Sequence, residues 1–163
     1  MAEQSPKQIK VVMVEDDVAM REIVVHKLSA NGFDVKEAED GQQGIDLIIA
    51  EKPDIVLLDL MLPEVDGFQV LEKIRHHKDT AVAKTPIIVL SNLWSNKDIL
   101  KTKALNVQAY LVKAYFTTEE ILKKINEVLA NPNQAIEPVT TSPTTPTPTD
   151  PPPKTTPMSP LTD

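Results

Sequence analysis

The chain has 163 residues, a formal net charge of −7 at pH 7, 41% hydrophobic residues and no cysteine. This length suits one ordinary domain, alone or with a tail, and the lack of cysteine excludes disulfides, thiolate metal sites and cysteine nucleophiles. Nucleic acid is not expected as a partner, because affinity for a phosphate backbone depends on Lys and Arg. No stretch approaches the roughly 20 apolar residues of a membrane span, so we expect a cytoplasmic protein without one.

The N-terminal half alternates short apolar runs with stretches of helical periodicity. Two nearly continuous apolar runs predict strands buried on both faces of a sheet, and an alternating run between them predicts an edge strand. Apolar residues at helical spacing predict two helices, the first stopped by Asn31-Gly32 and the second by Pro53. In chain order these elements are a strand at 9–14, a helix at 18–30, a strand at 33–38, a helix at 41–50 and a strand at 55–58.

The same alternation continues toward the C terminus. A loop containing Pro63 and Gly67 comes before the third helix, and Thr117 with Glu120 has the spacing of a capping box at the start of the last. In chain order the elements are a helix at 68–77, a strand at 86–90, a helix at 96–105, a strand at 109–112 and a helix at 117–129.

Five consecutive βα pairs indicate a parallel sheet with helices on both faces and right-handed crossovers. Both doubly wound strand orders fit the alternation alone, and the edge-like second strand favours the order 2-1-3-4-5. The predicted fold class is therefore α/β, a doubly wound (βα)5 sheet of the flavodoxin-like type.

Composition changes abruptly near Asn131. All four glycines come before it, and most of the 14 prolines come after it. Few large apolar residues follow, so this segment cannot bury enough surface to offset its ordering entropy. We predict a flexible N terminus at 1–8, an ordered domain at 9–130 and a disordered Pro/Thr-rich tail at 131–163.

Polar side chains follow four of the predicted strands, at the edge where open α/β sheets bind ligands. They are Glu15 and Asp16 after the first strand, Asp59 after the third, Ser91 after the fourth and Lys113 after the fifth. Three carboxylates at one edge repel each other unless a cation lies between them, and oxygen ligands without imidazole or thiolate suit Mg²⁺. Lys113 offers a positive charge, Ser91 a hydroxyl donor and Asp59 an oxygen nucleophile, a set that predicts phosphoryl transfer to aspartate.

At these residues the chain resembles the receiver domain of two-component response regulators, in particular a stand-alone receiver of the chemotaxis-regulator type. The resemblance covers roughly residues 9–129. It rests on the acidic pair Glu15-Asp16, the loop Asp59…Pro63…Gly67, Ser91 after the fourth strand, and Tyr110 three residues before Lys113.

The resemblance implies a role for each matched residue of the acidic centre. Asp59 would be the phosphoacceptor, and Lys113 would contact the phosphoryl group. Asp16, Asp59 and the backbone carbonyl of Met61 would bind Mg²⁺, with Glu15 assisting through water. Such a protein is not an enzyme in the ordinary sense, since it catalyses only its own phosphoryl transfer and dephosphorylation.

The resemblance also implies a switch and a set of partners. Ser91 and Tyr110 would move together on phosphorylation and reshape the face formed by the fourth helix, the fifth strand and the fifth helix. The phosphoryl donor would be a histidine kinase or a phosphotransfer protein, and the altered face would bind an unidentified downstream protein. Homodimerisation through the same face on phosphorylation is a further option.

The chain departs from the family pattern at several positions. Ala114 stands where the family has proline after a cis bond, so either Lys113-Ala114 is cis or the loop is trans and Lys113 points differently. Asn92 stands where the family commonly has Ala or Gly. These two departures keep open a pseudo-receiver, an interaction module that is not phosphorylated. Met61 and Leu93 are apolar at positions that resemble determinants of self-dephosphorylation, which predicts slow loss of phosphate.

A phosphohydrolase that acts through Asp59 is the least favoured reading. The haloacid dehalogenase type has a second aspartate two residues further on, where this chain has Met61.

Overall fold

A computed structural model describes residues 5–93 and 95–134, which form a five-stranded parallel sheet with helices on both faces. The strands are β1 (Lys10–Val14), β2 (Asp34–Ala38), β3 (Ile55–Leu58), β4 (Ile87–Ser91) and β5 (Ala109–Val112). The helices are α1 (Val18–Ala30), α2 (Gly41–Glu51), α3 (Gly67–Arg75), α4 (Thr80–Ala83), α5 (Asn96–Ala104) and α6 (Thr118–Ala130). The strand order is β2-β1-β3-β4-β5, so the predicted fold class and order are confirmed.

The sequence pattern missed the short helix α4. Asp79 caps it by accepting a hydrogen bond from the Ala81 N–H at 2.9 Å. One turn of helix is too short to show a repeating apolar stripe, so periodicity could not reveal it.

Alternate residues of the central strands point to opposite faces of the sheet, and each face has its own core. In β3, Ile55 and Leu57 pack with residues of α1 and α6, whereas Val56 and Leu58 pack with residues of α2 and α3. All four side chains are at most 1% exposed. The strand is therefore a continuous apolar run in the sequence because helices cover both of its sides.

Strand register brings the ends of the central strands to one edge of the sheet. Val14 pairs with Leu58 at the ends of β1 and β3, and Ser91 pairs with Val112 at the ends of β4 and β5. The residues that follow β1, β3 and β5 therefore emerge at the same edge of the sheet, which is what the predicted site requires.

Two predictions about the ends of the chain fall largely outside the described residues. The flexible N terminus (1–8) includes residues 1–4, and the disordered tail (131–163) includes residues 135–163, none of which the structure describes. Both stay predictions. Across the described ranges, no helix combines the length and apolar character that crossing a membrane requires.

Arg75, at the end of α3, binds the loops at the amino ends of β4 and β5, which lie opposite the predicted site. Its Nε donates to the carbonyl of Leu105 at 2.8 Å, and its Nη2 donates to that of Asn106 at 3.0 Å. Its Nη1 donates to the carbonyls of Ala83 at 3.0 Å and Thr85 at 2.8 Å. One side chain thus joins the segments that lead into β4 and β5.

Replacing Arg75 by Met should lower the free energy of unfolding by about 2–3 kcal/mol, because four backbone carbonyls lose a charged donor. Urea denaturation followed by circular dichroism measures this loss. Lys73→Met, at an exposed position of the same helix, should stay within about 0.5 kcal/mol of wild type. Equal losses in the two variants would contradict a specific role for the Arg75 contacts.

Candidate phosphoacceptor site

Three carboxylates meet at the carboxyl edge of the sheet. One oxygen from each of Glu15, Asp16 and Asp59 lies within 4.8 Å of the others. Glu15 is 1% exposed and Asp59 is 4% exposed, whereas Asp16 faces solvent. The sheet holds the backbone in place, because the Asp59 N–H donates to the Val14 carbonyl at 3.0 Å.

Lys113 lies between the two buried carboxylates. Its Nζ is 2.5 Å from Oε2 of Glu15 and 2.8 Å from Oδ2 of Asp59. The described residues contain no cis peptide bond, so the bond to Ala114 is trans, and Lys113 begins a short 3₁₀ turn. The loop is trans and still directs Lys113 toward Asp59, so neither of the two alternatives from the sequence holds as stated.

Burial and charge shift the pKa values of this group. Burial raises the pKa of Glu15 to about 7, the charge of Asp59 adds to the effect, and the hydrogen bond from Lys113 opposes it. Burial alone would lower the pKa of Lys113, but its hydrogen bonds to Asp59 and Glu15 outweigh this and raise it. The lysine is therefore a fixed positive charge in a site with an excess of carboxylates.

The donor set fits a hard divalent cation. Carboxylate oxygens from Glu15, Asp16 and Asp59 are the ligands that Mg²⁺ prefers, and the solvent-facing Asp16 leaves room for the waters it retains. Met61 is next to this group, because its N–H donates to Oδ1 of Asp59 at 3.0 Å. The metal-binding role of the Met61 carbonyl stays a prediction.

Asp16 and the neighbouring Asp17 have different structural positions. Asp17 is the N-cap of α1, and its side chain accepts from the Met20 N–H at 2.9 Å. The adjacent Asp16 is part of the acidic cluster. Helix capping therefore accounts for one of the two aspartates after Glu15 and leaves the other for the site.

Gly67 permits the loop after β3 to close over Asp59. A Cβ atom at this position would lie 2.3 Å from the Asp59 carbonyl oxygen and 2.5 Å from the Cα of Leu60. The Gly67 N–H also donates to the Leu60 carbonyl at 3.0 Å. Any side chain here would displace the backbone of Asp59 and Leu60.

Ser91 and Tyr110 are connected through the backbone of Leu93. Ser91 is fully buried at the end of β4, and its Oγ accepts from the Leu93 N–H at 3.3 Å. The Tyr110 ring is 4% exposed, and its hydroxyl donates to the Leu93 carbonyl. Burial raises the pKa of Tyr110 to about 12, with Asp98 and Asp59 adding to the effect. Asn92, by contrast, is exposed.

Sequence reasoning missed Arg21, which is only 7% exposed in α1. Its Nη1 donates to the carbonyl of Glu15 at 2.8 Å. A signal was available, because Arg21 shares the buried stripe of α1 with Val24 and Leu28. A charged residue at that spacing needs a buried partner.

The comparisons identify the class of protein. Residues 11–126 match the family model of the response regulator receiver domain. The chain therefore belongs to this family, and it is a receiver domain of the two-component response regulators, which are signalling proteins.

Particular relatives and structures are similar to the chain at moderate identity. The probable transcriptional regulator ycf27 of Guillardia theta is 36% identical over 77% of this chain and 47% of its own length. The DNA-binding dual master transcriptional regulator RpaA of Synechocystis is 34% identical over 74% of this chain and 48% of its own length. The chemotaxis response regulator CheY4 of Vibrio cholerae is 28% identical, with a TM-score of 0.68 over 75% of this chain and 99% of that structure.

The relatives correct one expectation about partners. Nucleic acid was excluded on charge, yet relatives at 34–36% identity are named as transcriptional regulators, one of them as DNA-binding. The exclusion was wrong, because the net charge of −7 describes only the 163 residues of this chain. This chain spans about half the length of the curated relatives it matches. Its acidic character therefore says nothing about what the rest of such a protein contacts.

Replacing Gly67 by Ala should weaken Mg²⁺ binding and lower the free energy of unfolding by about 1–3 kcal/mol, because the added Cβ pushes against Asp59 and Leu60. Calorimetric titration with MgCl₂ and urea denaturation measure the two effects. Gly32→Ala is the matched control, since its Cβ would meet open space and its cost comes only from a φ of +87°. Gly32→Ala should lose stability and keep Mg²⁺ affinity; the same loss of affinity in both variants would contradict a local effect of Gly67.

Proposed function

We propose that the chain is a Mg²⁺-dependent phosphoacceptor, in which Asp59 takes the phosphoryl group and the product alters the face formed by α5, β5 and α6. The observation that carries this proposal is the Lys113 ammonium held 2.8 Å from the buried Asp59 carboxylate, with Glu15 and Asp16 in the same cluster. A carboxylate that only stabilises the fold would not need two further acids beside it. Their mutual repulsion is tolerable where a cation is to be bound.

The chemistry follows from the positions of the chain's own groups. A carboxylate oxygen of Asp59 attacks the donor's phosphorus, the new P–O bond forms, and the bond to the leaving group breaks with the electron pair going to that group. Lys113 holds a positive charge beside the forming acyl phosphate, and Ser91 supplies a buried hydroxyl at the end of the next strand. Mg²⁺ bound by Asp16, Asp59 and the Met61 carbonyl, with Glu15 assisting, would neutralise charge on the transferring oxygens.

The signalling step of this proposal starts at Ser91 and Tyr110, which are joined through the backbone of Leu93. Phosphorylation adds about 1.5 to 2 negative charges and new acceptor oxygens beside Ser91. A Ser91 hydroxyl that turns toward them changes its contact with the Leu93 N–H, and the Leu93 carbonyl is the partner of Tyr110. The structure has Tyr110 in its buried position, and phosphorylation would increase the population of that arrangement.

The relatives suggest what such a signal regulates. Ycf27 and RpaA are named as transcriptional regulators, and the match covers about half of each. We propose that this chain acts as the phosphorylated receiver in a comparable regulation of transcription. The α5–β5–α6 face would transmit the phosphorylation state to the part of the system that regulates transcription.

Incubation of the wild-type protein with acetyl phosphate and MgCl₂ should give a mass gain of one phosphoryl group. Asp59→Asn should abolish it, because an amide cannot form the acyl phosphate. Intact-mass spectrometry measures the product, and omission of Mg²⁺ should prevent it. Asp46→Asn, on the exposed side of α2, controls for the loss of a carboxylate and should be phosphorylated normally.

Asp16 and Asp17 provide a matched pair for the role of the metal in this experiment. Asp16→Asn should weaken Mg²⁺ binding, whereas Asp17→Asn keeps a good helix cap and should retain it. Wild-type protein that is folded and binds Mg²⁺ but gains no mass from several donors would favour the pseudo-receiver. The complete set of Asp59, Lys113 and acidic pair argues against that alternative.

The phosphorylated protein should lose its phosphoryl group slowly, because Met61 and Leu93 give an attacking water no polar partner at the site. Met61→Asn should shorten the half-life several-fold, measured by intact mass after removal of donor. Met61 is 55% exposed, so the substitution leaves the core intact. Ile23→Asn, 57% exposed on α1, is the control and should not change the half-life. A wild-type half-life equal to that of a free acyl phosphate would refute the prediction.

A further inference from the structure

Arg21 is a buried cation whose contacts reach the acidic centre. Its side chain is 8% exposed and lies on the same stripe of α1 as Val24 and Leu28, where an apolar residue is the norm. Burying a guanidinium is costly unless its donors are used. This cost implies that the contacts of Arg21 serve a purpose that an apolar residue could not.

The contacts of Arg21 join three segments of the chain. Nη1 donates to the Glu15 carbonyl at 2.8 Å, in a fully buried hydrogen bond. Nε and Nη2 each lie 3.2 Å from a carboxylate oxygen, of Glu37 and Glu39 respectively. These two carboxylates are 44% and 69% exposed, so solvent screens them and the bond to Glu15 is the strong one.

The Glu15 carbonyl lies where β1 ends and the loop that carries Asp16 begins. The last sheet hydrogen bonds here run from the Glu15 N–H to the Ala38 carbonyl and from the Asp59 N–H to the Val14 carbonyl. Arg21 binds the next carbonyl along the chain, which belongs to the peptide group joining Glu15 to Asp16. The Arg21 side chain thus fixes the backbone one residue beyond the last sheet hydrogen bonds, at the peptide group that leads into the exposed Asp16.

We propose that Arg21 is a positioning residue, which fixes the Glu15-Asp16 peptide so that both carboxylates face Asp59 and the divalent cation binds tightly. The inference rests on the Mg²⁺ site of the proposed function and deepens it. The fixed peptide orders the ligands before the cation arrives, so less ordering remains to be done on binding.

Geometry and charge make opposite predictions for the loss of Arg21. A nearby positive charge repels Mg²⁺, so removing only its charge would tighten binding. Removing the hydrogen bond to Glu15 frees the loop and weakens binding. The sign of the change in Mg²⁺ affinity therefore separates the two effects.

Calorimetric titration of the folded protein with MgCl₂ tests the inference. Arg21→Met should weaken Mg²⁺ binding about tenfold, a typical effect for a residue that orients metal ligands. Arg21→Lys keeps the charge but not the forked geometry, and should also bind more weakly. At saturating Mg²⁺ the phosphorylation rate of Arg21→Lys should return close to the wild-type rate, because Asp59 and Lys113 are untouched.

Arg75→Met is the matched control, since Arg75 also donates to backbone carbonyls but lies at the opposite edge of the sheet. It should lose stability and keep its Mg²⁺ affinity. If Arg21→Met does not fold, Arg21→Lys decides the question, with unchanged affinity counting against the inference. Unchanged or tighter binding by Arg21→Met would overturn the inference alone, whereas a wild-type protein that binds no Mg²⁺ would overturn the proposed function as well.

Discussion

Two carboxylates, Glu15 and Asp59, are buried at the ends of adjacent parallel strands with the Lys113 ammonium between them. Burying one carboxylate is costly, and burying two side by side adds their repulsion, so the lysine offsets only part of the cost. The raised pKa of Glu15 reflects the part of this cost that Lys113 does not offset. Such a centre favours further positive charge, and this is the physical basis of the proposed divalent cation and of the proposed phosphoryl transfer.

The surrounding structure keeps this centre in one arrangement. The sheet fixes the backbone up to Val14 and Asp59, and Gly67 lets the loop after β3 pack against the backbone of Asp59. Arg21 holds the carbonyl just beyond the last sheet hydrogen bond. These constraints act on the backbone, so the carboxylates are placed by the fold and not by flexible side chains alone. The two backbone groups of Leu93 connect Ser91, at the end of β4, to Tyr110.

Charge was informative at the site and misleading for the whole chain. At one edge of the sheet, the positions of a few acids predicted a cluster of carboxylates, and the structure brings these carboxylates together. The net charge of −7 instead led to the exclusion of nucleic acid, which transcriptional relatives of about twice the matched length contradict. A local arrangement of charged residues defines which ligands can bind there. The net charge of a chain describes neither where its charges lie nor the charge of residues outside the sum.

The sequence by itself determined the fold class, favoured the strand order that the structure has, and identified the carboxylates of the acidic centre. Buried parallel strands are continuous apolar runs, and the residue after each run lies at the ligand-binding edge, so Asp59 and Lys113 could be found without coordinates. Only the tertiary structure decided that the Lys113-Ala114 bond is trans and that Arg21 binds the Glu15 carbonyl. The first feature depends on one backbone torsion, and the second on the path of the loop that joins β1 to α1. The periodicity of the sequence marks Arg21 as buried but does not identify its partner, and it does not report a peptide torsion.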